Sequence, residues 1–154
     1  MDVVPPLSAI DVARGVARLF ALHDQYVMAE VPLPNGRRAD LIAIDARGAI
    51  SIVEIKVSRA DLLGDGKWPD YCDYCDRFYW ALAVGLDASP LDDPAYRPGE
   101  SGLIVADRYD AVFVRPAADR PLAAARRKSE TLRIARLAMR RMLTLGDGAP
   151  QLDG

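Results

Sequence analysis

Residues 37–59 read RRADLIAIDARGAISIVEIKVSR, two apolar runs joined by the turn-forming Asp45-Ala46-Arg47-Gly48. Side chains on a strand alternate between faces, so Glu54 and Lys56 project to one side and Val53 and Ile55 to the other. With Asp45–Gly48 as the turn, Ile44 faces Ala49 and Asp40 comes opposite Val53. A three-residue bulged turn puts Asp40 opposite Glu54 instead. Under either register, two carboxylates and an ammonium converge at one end of a hairpin. The second run, AISIVEIKV, is almost continuously apolar, the pattern of a central strand covered on both faces. A carboxylate in such a strand is costly unless it is paired, metal-bound or protonated, which makes Glu54 informative.

Upstream, Ser8 with Asp11 three residues on resembles a capping box. Ile10, Val12, Ala13, Val16, Ala17, Leu19 and Phe20 follow at helical spacing, predicting an amphipathic helix to about Leu22. Gln25 to Leu33 is β-rich and ends in Pro32-Leu-Pro34-Asn35-Gly36, so it reads as a strand leading into the hairpin. Downstream, Ser58-Arg-Ala-Asp61 starts a helix, and Lys67-Trp68-Pro69-Asp70 leads into a second helical segment. Phe78 to Val84 reads as a further strand, and a helical crossover between two strands implies a parallel or mixed sheet. Gly85 to Gly102 is a Pro-, Asp- and Gly-rich surface loop. Residues 103–106 and 111–114 form a second hairpin around Asp107-Arg-Tyr-Asp110, and a long helix runs from about Leu122 to Leu143. The expected fold is α/β, a mixed central β-sheet flanked by helices in one domain over 1–154, ordered over about 8–143 with a frayed tail at 144–154.

The 154 residues suffice for one domain with a sizeable core. No apolar run reaches membrane-helix length, and the start has an acid at position 2 and two early prolines in place of a signal peptide, so cytosol is the expected location. Cys72 and Cys75 form a CxxC, but the single histidine, His23, is far off in sequence. The pair therefore reads as two semi-buried structural thiols and not as half of a zinc site. Net charge is −2, so no global field favours a polyanion. Locally the balance differs, with nine basic residues against two acids from Arg115 to Arg141.

Asp40 and Glu54 together make a hard-oxygen site suited to Mg²⁺ or Mn²⁺, to which Ile55 could add a backbone carbonyl. Such an ion accepts a phosphate oxygen and lowers the pKa of a bound water. Lys56 could orient or deprotonate that water or stabilise charge on the phosphorus. This is the equipment of a nuclease. No P-loop, dinucleotide fingerprint or nucleophile motif competes with it.

The pattern Asp40 … Glu54-Ile55-Lys56, on a hairpin after a helix and before a helix and strand, resembles the PD-(D/E)xK nuclease superfamily. Residues RRADLIAID … IVEIKVSRADLLGDGKWPDYCDYCDRFYWAL with the later GLIVADRYDAVFVRP resemble the bacterial MmcB-like DNA-repair proteins, over roughly 8–143. The resemblance implies a restriction-endonuclease-like core, Asp40 and Glu54 as metal ligands, Lys56 as the catalytic lysine, and DNA as substrate. The chain departs from the superfamily pattern at Ala39, which replaces a proline, and in the first helix, which offers Asp11 but no glutamate. Asp70 and Tyr74 stand at the spacing of a Gln-x-x-x-Tyr motif.

Beyond this core, Glu30, Asp70 and Tyr74 are further site candidates. Lys67 and Arg77 beside the site, and Arg126, Arg133, Arg136 and Arg140 on the last helix, are candidate phosphate contacts. The expected function is that of a DNA-repair protein acting as a metal-dependent deoxyribonuclease. The alternative is an inactive nuclease-fold module that binds DNA or recruits repair factors. DNA and other repair proteins are the expected partners, a homodimer is left open, and no membrane is involved.

Overall fold

Ser8 caps the first helix, α1 (Ala9–Leu22): its hydroxyl accepts the Asp11 N–H while Asp11 returns a bond to the Ser8 N–H, as expected of a capping box. In this computed structural model, which describes residues 3–146, 148 and 152, six strands follow. They are β1 (Tyr26–Pro32), β2 (Arg38–Ile44), β3 (Ile50–Lys56), β4 (Arg77–Ala83), β5 (Gly102–Ala106) and β6 (Ala111–Arg115). All six lie in one sheet in chain order. Its neighbours are antiparallel except at β3/β4 and β4/β5, which are parallel, so the sheet is mixed as the crossover predicted. The β3–β4 crossover holds a short helix, α2 (Arg59–Leu63), and a 3-10 helix, Trp68–Tyr74. Two more 3-10 turns interrupt the loop before β5.

The period-two pattern sorts the strands into two faces. Leu41, Ala43, Val53, Ile55, Tyr79, Ala81, Ile104 and Ala106 pack on Val12, Val16, Leu19 and Phe20 of α1. Gly15 permits this approach, because a Cβ there would sit 2.9 Å from the Asp110 carbonyl oxygen. The opposite face carries Ile42, Ile52, Phe78, Trp80 and Leu82, all buried. Trp68 closes over it with ring centroids 5.4 Å from Phe78 and 5.7 Å from Trp80. With both sides covered, every residue of β3 is buried, its polar Ser51, Glu54 and Lys56 included.

The hairpin connection is wider than the turn Asp45–Gly48. Ile44 pairs with Ile50, not Ala49: the Asp45 N–H donates to the Ala49 carbonyl, which leaves Ala46, Arg47 and Gly48 as a three-residue bulged turn, and the Asp45 carboxylate accepts the N–H groups of Arg47 and Ala49 to hold it. Gly48, at φ +86°, completes it in the left-handed region. That register puts Asp40 across from Glu54, the second of the two alternatives.

The chain divides into two compact units, Met1–Pro121 and Leu122–Gly154. The second is built on α3 (Ala124–Leu145), which extends two residues past the expected helix end. Of the expected frayed tail, Thr144 and Leu145 therefore belong to α3, while residues 147, 149–151, 153 and 154 lie outside the described residues. No helix among the described residues is long and apolar enough to cross a membrane. Cys72 is half-buried, Cys75 is buried, and both are free thiols.

Phe20 is fully buried and meets both Tyr79 and Phe113 edge-on or tilted. Phe20→Ala should cost about 3–5 kcal/mol, read as a shift of the urea midpoint at unchanged slope. A loss below about 1 kcal/mol would show that α1 does not close this core.

Candidate functional site

The β2–β3 ladder runs from Ile44↔Ile50 to Leu41↔Val53, and beyond it side chains take over from the backbone. The Asp40 N–H donates to Glu54 Oε1 at 3.0 Å, and the Ile55 N–H donates to Asp40 Oδ2 at 2.8 Å. Each carboxylate thus ties down the opposing strand. On its other edge β3 stays paired with β4 as far as Lys56↔Leu82, so only the β2 side opens. The two carboxyl groups meet directly, on the face opposite α1.

Glu54 is 4 % exposed. Burial, and then the adjoining Asp40 carboxylate, push its carboxyl up to about 9. Two anions this close in a dry site cannot both persist without a proton or a cation between them. Lys56, two residues on and on the same face, does not supply that charge by contact. Its ammonium lies 2.9 Å from Asp65 and 3.8 Å from Asp61. Burial opposes the charged form, but the bond to Asp65 and the charges of Asp65 and Asp61 outweigh it, and Lys56 stays protonated above its ordinary range.

Asp61, Asp65 and Tyr71 were not anticipated as site residues. Ser58 caps α2 by accepting the Asp61 N–H, which folds the chain back over the end of β3. Asp61 lies on α2 and Asp65 just past its C-cap Gly64, so the turn that ends the helix brings both to Lys56. That placement just after the lysine was the available signal. Tyr71 donates its hydroxyl to the Arg38 carbonyl at 3.2 Å. Burial, then the charges of Glu54, Asp65 and Asp40, push its phenol up to about 12.

The remaining candidates separate. Glu30 stands at the β1 position opposite Asp40, between the pairs Ala29↔Leu41 and Val31↔Ala39, in a left-handed conformation at φ +51°. Such a backbone costs a non-glycine residue about 1–3 kcal/mol, and Asp24 and Arg97 adopt it as well. Asp70 is taken by Arg37 at 3.0 Å. Tyr74 is buried. Residues 68–74 form a 3-10 helix with three residues per turn, so positions 70 and 74 do not share a face as they would in the expected α-helix. Tyr71 takes the place beside the carboxylates instead. Lys67 is exposed next to Asp65, whose Oδ1 accepts the Lys67 N–H at 3.2 Å. Arg77 was expected beside the site, but the parallel register puts it opposite Ser51, about 10 Å along the strands from Glu54. There it pairs with Asp45 and Asp119. Arg126, Arg133, Arg136 and Arg140 lie in the second unit, along one side of α3, where Arg133 pairs with Glu130.

Asp40 and Glu54 offer hard oxygen donors on one face, a set that fits a divalent cation of the Mg²⁺ class. Among the described residues no cluster of three or more His, Cys, Asp or Glu side chains suited to a metal forms, so a cation here would complete its shell from water and backbone oxygen, including the Ile55 carbonyl.

The raised Glu54 carboxyl makes stability depend on pH. Its native pKa exceeds the unfolded value, so its contribution is present below about pH 4.5 and is lost as pH rises towards about 9. Glu54→Gln, neutral throughout, should gain stability relative to the parent protein steadily across that window in chelator-containing buffer. Parallel stability curves would contradict this assignment.

Comparison with known proteins agrees with this fold. A solved structure of a protein of unknown function from Silicibacter pomeroyi is 37 % identical, with a TM-score of 0.82, over 97 % of this chain and 100 % of that one. No curated protein matches the chain. A protein-family model described as DNA repair protein MmcB-like matches residues 2–149, almost the whole length. The chain belongs to the MmcB-like family.

Proposed function

We propose that this chain acts in DNA repair as a metal-dependent DNA nuclease of the PD-(D/E)xK type. The observation that carries the reading is the direct meeting of the Asp40 and Glu54 carboxyls, with Lys56 next on the same face. The family description supports DNA as the partner. A cation of the Mg²⁺ class held by Asp40 and Glu54 would supply Lewis-acid activation of a phosphate oxygen and of water.

The chain's own groups divide the remaining work. Glu54 must give up its proton to bind a cation, so occupancy rises with pH. Lys56 keeps its proton, which suits it to neutralising a phosphate oxygen and not to accepting a proton. Asp65 and Asp61 hold that ammonium in place until a phosphate competes for it. Tyr71 also keeps its proton and anchors the β2 backbone at Arg38, which fixes Asp40 two residues away. Trp68 and Tyr71 cover this face of the sheet and limit its water.

One feature favours a second reading, an inactive nuclease-fold module that binds DNA or recruits repair factors. Lys56 is already engaged by two carboxylates, and the pair Asp40–Glu54 gains no third His, Cys, Asp or Glu ligand among the described residues.

A cleavage screen over single-stranded, duplex, nicked, flap and branched DNA with Mg²⁺ or Mn²⁺ separates the two. Asp40→Asn, Glu54→Gln and Lys56→Ala should each lower the rate at least about a hundredfold while the fold survives. Metal-independent binding with no cleavage of any substrate would favour the module.

A further inference from the structure

Most cations of the unit Met1–Pro121 already have acidic partners. Arg37 pairs with Asp70, Lys56 with Asp65, Arg59 with Asp87, Arg77 with Asp119 and Arg115 with Asp92. Residues 1–121 hold 13 basic side chains against 19 acidic ones, a formal charge of −6, so a polyanion is repelled by this unit as a whole. Arg14, Arg18, Arg38, Arg47 and Lys67 have no carboxylate at ion-pair distance among the described residues, and of these Arg38 and Lys67 lie beside the candidate site. Both are exposed, and neither side chain enters an ion pair or hydrogen bond among the described residues.

Both are also anchored to the candidate site through their backbones. Arg38 lies two positions before Asp40 on the same face of β2, about 7 Å along the strand. Its carbonyl accepts the Tyr71 hydroxyl. Lys67 donates its N–H to Asp65, the carboxylate whose other oxygen holds Lys56. Two unneutralised cations therefore flank the acidic pair, one on the β2 side and one on the crossover side.

We propose that Arg38 and Lys67 form a phosphate clamp that seats a DNA backbone across Asp40 and Glu54. This deepens the nuclease reading and rests on it for the identity of the strand, while the clamp itself is a binding device. In an acidic unit, such a clamp confines the backbone to the one edge where unpaired positive charge meets the carboxylates.

The test is anisotropy of labelled single-stranded and duplex oligonucleotides on the full chain, with a chelator present so that binding alone is read, between about 50 and 200 mM salt. Arg38→Gln and Lys67→Gln should each reduce the slope of log K against log salt by about 0.9 on duplex or 0.7 on single strands. On duplex, the loss of one contact corresponds to about eightfold weaker binding at 0.1 M salt. Arg38→Lys should keep the slope. Arg47→Gln serves as the control, because Arg47 is an exposed cation in the loop at the far end of the hairpin. Its slope should match the parent's. An unchanged slope in Arg38→Gln, an equal loss in Arg47→Gln, or no DNA binding by the parent would overturn the clamp. A reduced slope in a protein that cleaves nothing keeps the clamp and removes the nuclease reading. Cleavage with an unchanged slope does the reverse.

Discussion

Everything proposed for this protein depends on one substitution of bonding at the end of β2 and β3. Where the backbone ladder stops at Leu41↔Val53, the Asp40 and Glu54 carboxylates take up the next N–H groups. A carboxylate that accepts a backbone N–H is fixed in direction, so the two acids are presented together without needing a flexible loop. The arrangement holds two like charges in a buried place, an unfavourable situation that protonation of Glu54 relieves. A cation would relieve it as well. The same feature that ties the strands therefore creates the demand for a ligand.

Lys56 is prevented from satisfying that demand. It lies on the right face, two residues from Glu54, yet its ammonium is drawn to Asp65 and Asp61 on the crossover. Buried charges are tolerated when paired, and this pairing keeps Lys56 charged close to the acids without cancelling them. The crossover is thus more than a connection between parallel strands. It supplies the counter-ions of Lys56, the Tyr71 phenol, and the aromatic cover over Phe78 and Trp80.

What could be read from residue order was what is local and periodic. The Ser8–Asp11 capping box, the two faces of β3, and the shared face of Glu54 and Lys56 all follow from spacings of two to four residues. The hairpin register was open by one residue, because it turned on which backbone groups the Asp45 side chain would capture. Asp70 and Tyr74 stand at the spacing of the Gln-x-x-x-Tyr motif, which would bring them to one side of an α-helix, whereas a short segment with Pro69 at its start winds as a 3-10 helix and brings Tyr71 forward. Arg77 was misplaced because the parallel register of β4 depends on how the crossover packs, which no short-range pattern encodes. Asp61 and Asp65 looked like helix punctuation, and only the fold shows that they return to Lys56.

The central claim is that Asp40 and Glu54 form one cation site, and calorimetric titration of the full chain with Mn²⁺ tests it without requiring activity. The account predicts one ion per chain in the parent protein, with binding lost in both Asp40→Asn and Glu54→Gln while circular dichroism stays native. Binding that survives either substitution, or a folded parent protein that takes up no ion across neutral to mildly alkaline pH, would contradict it.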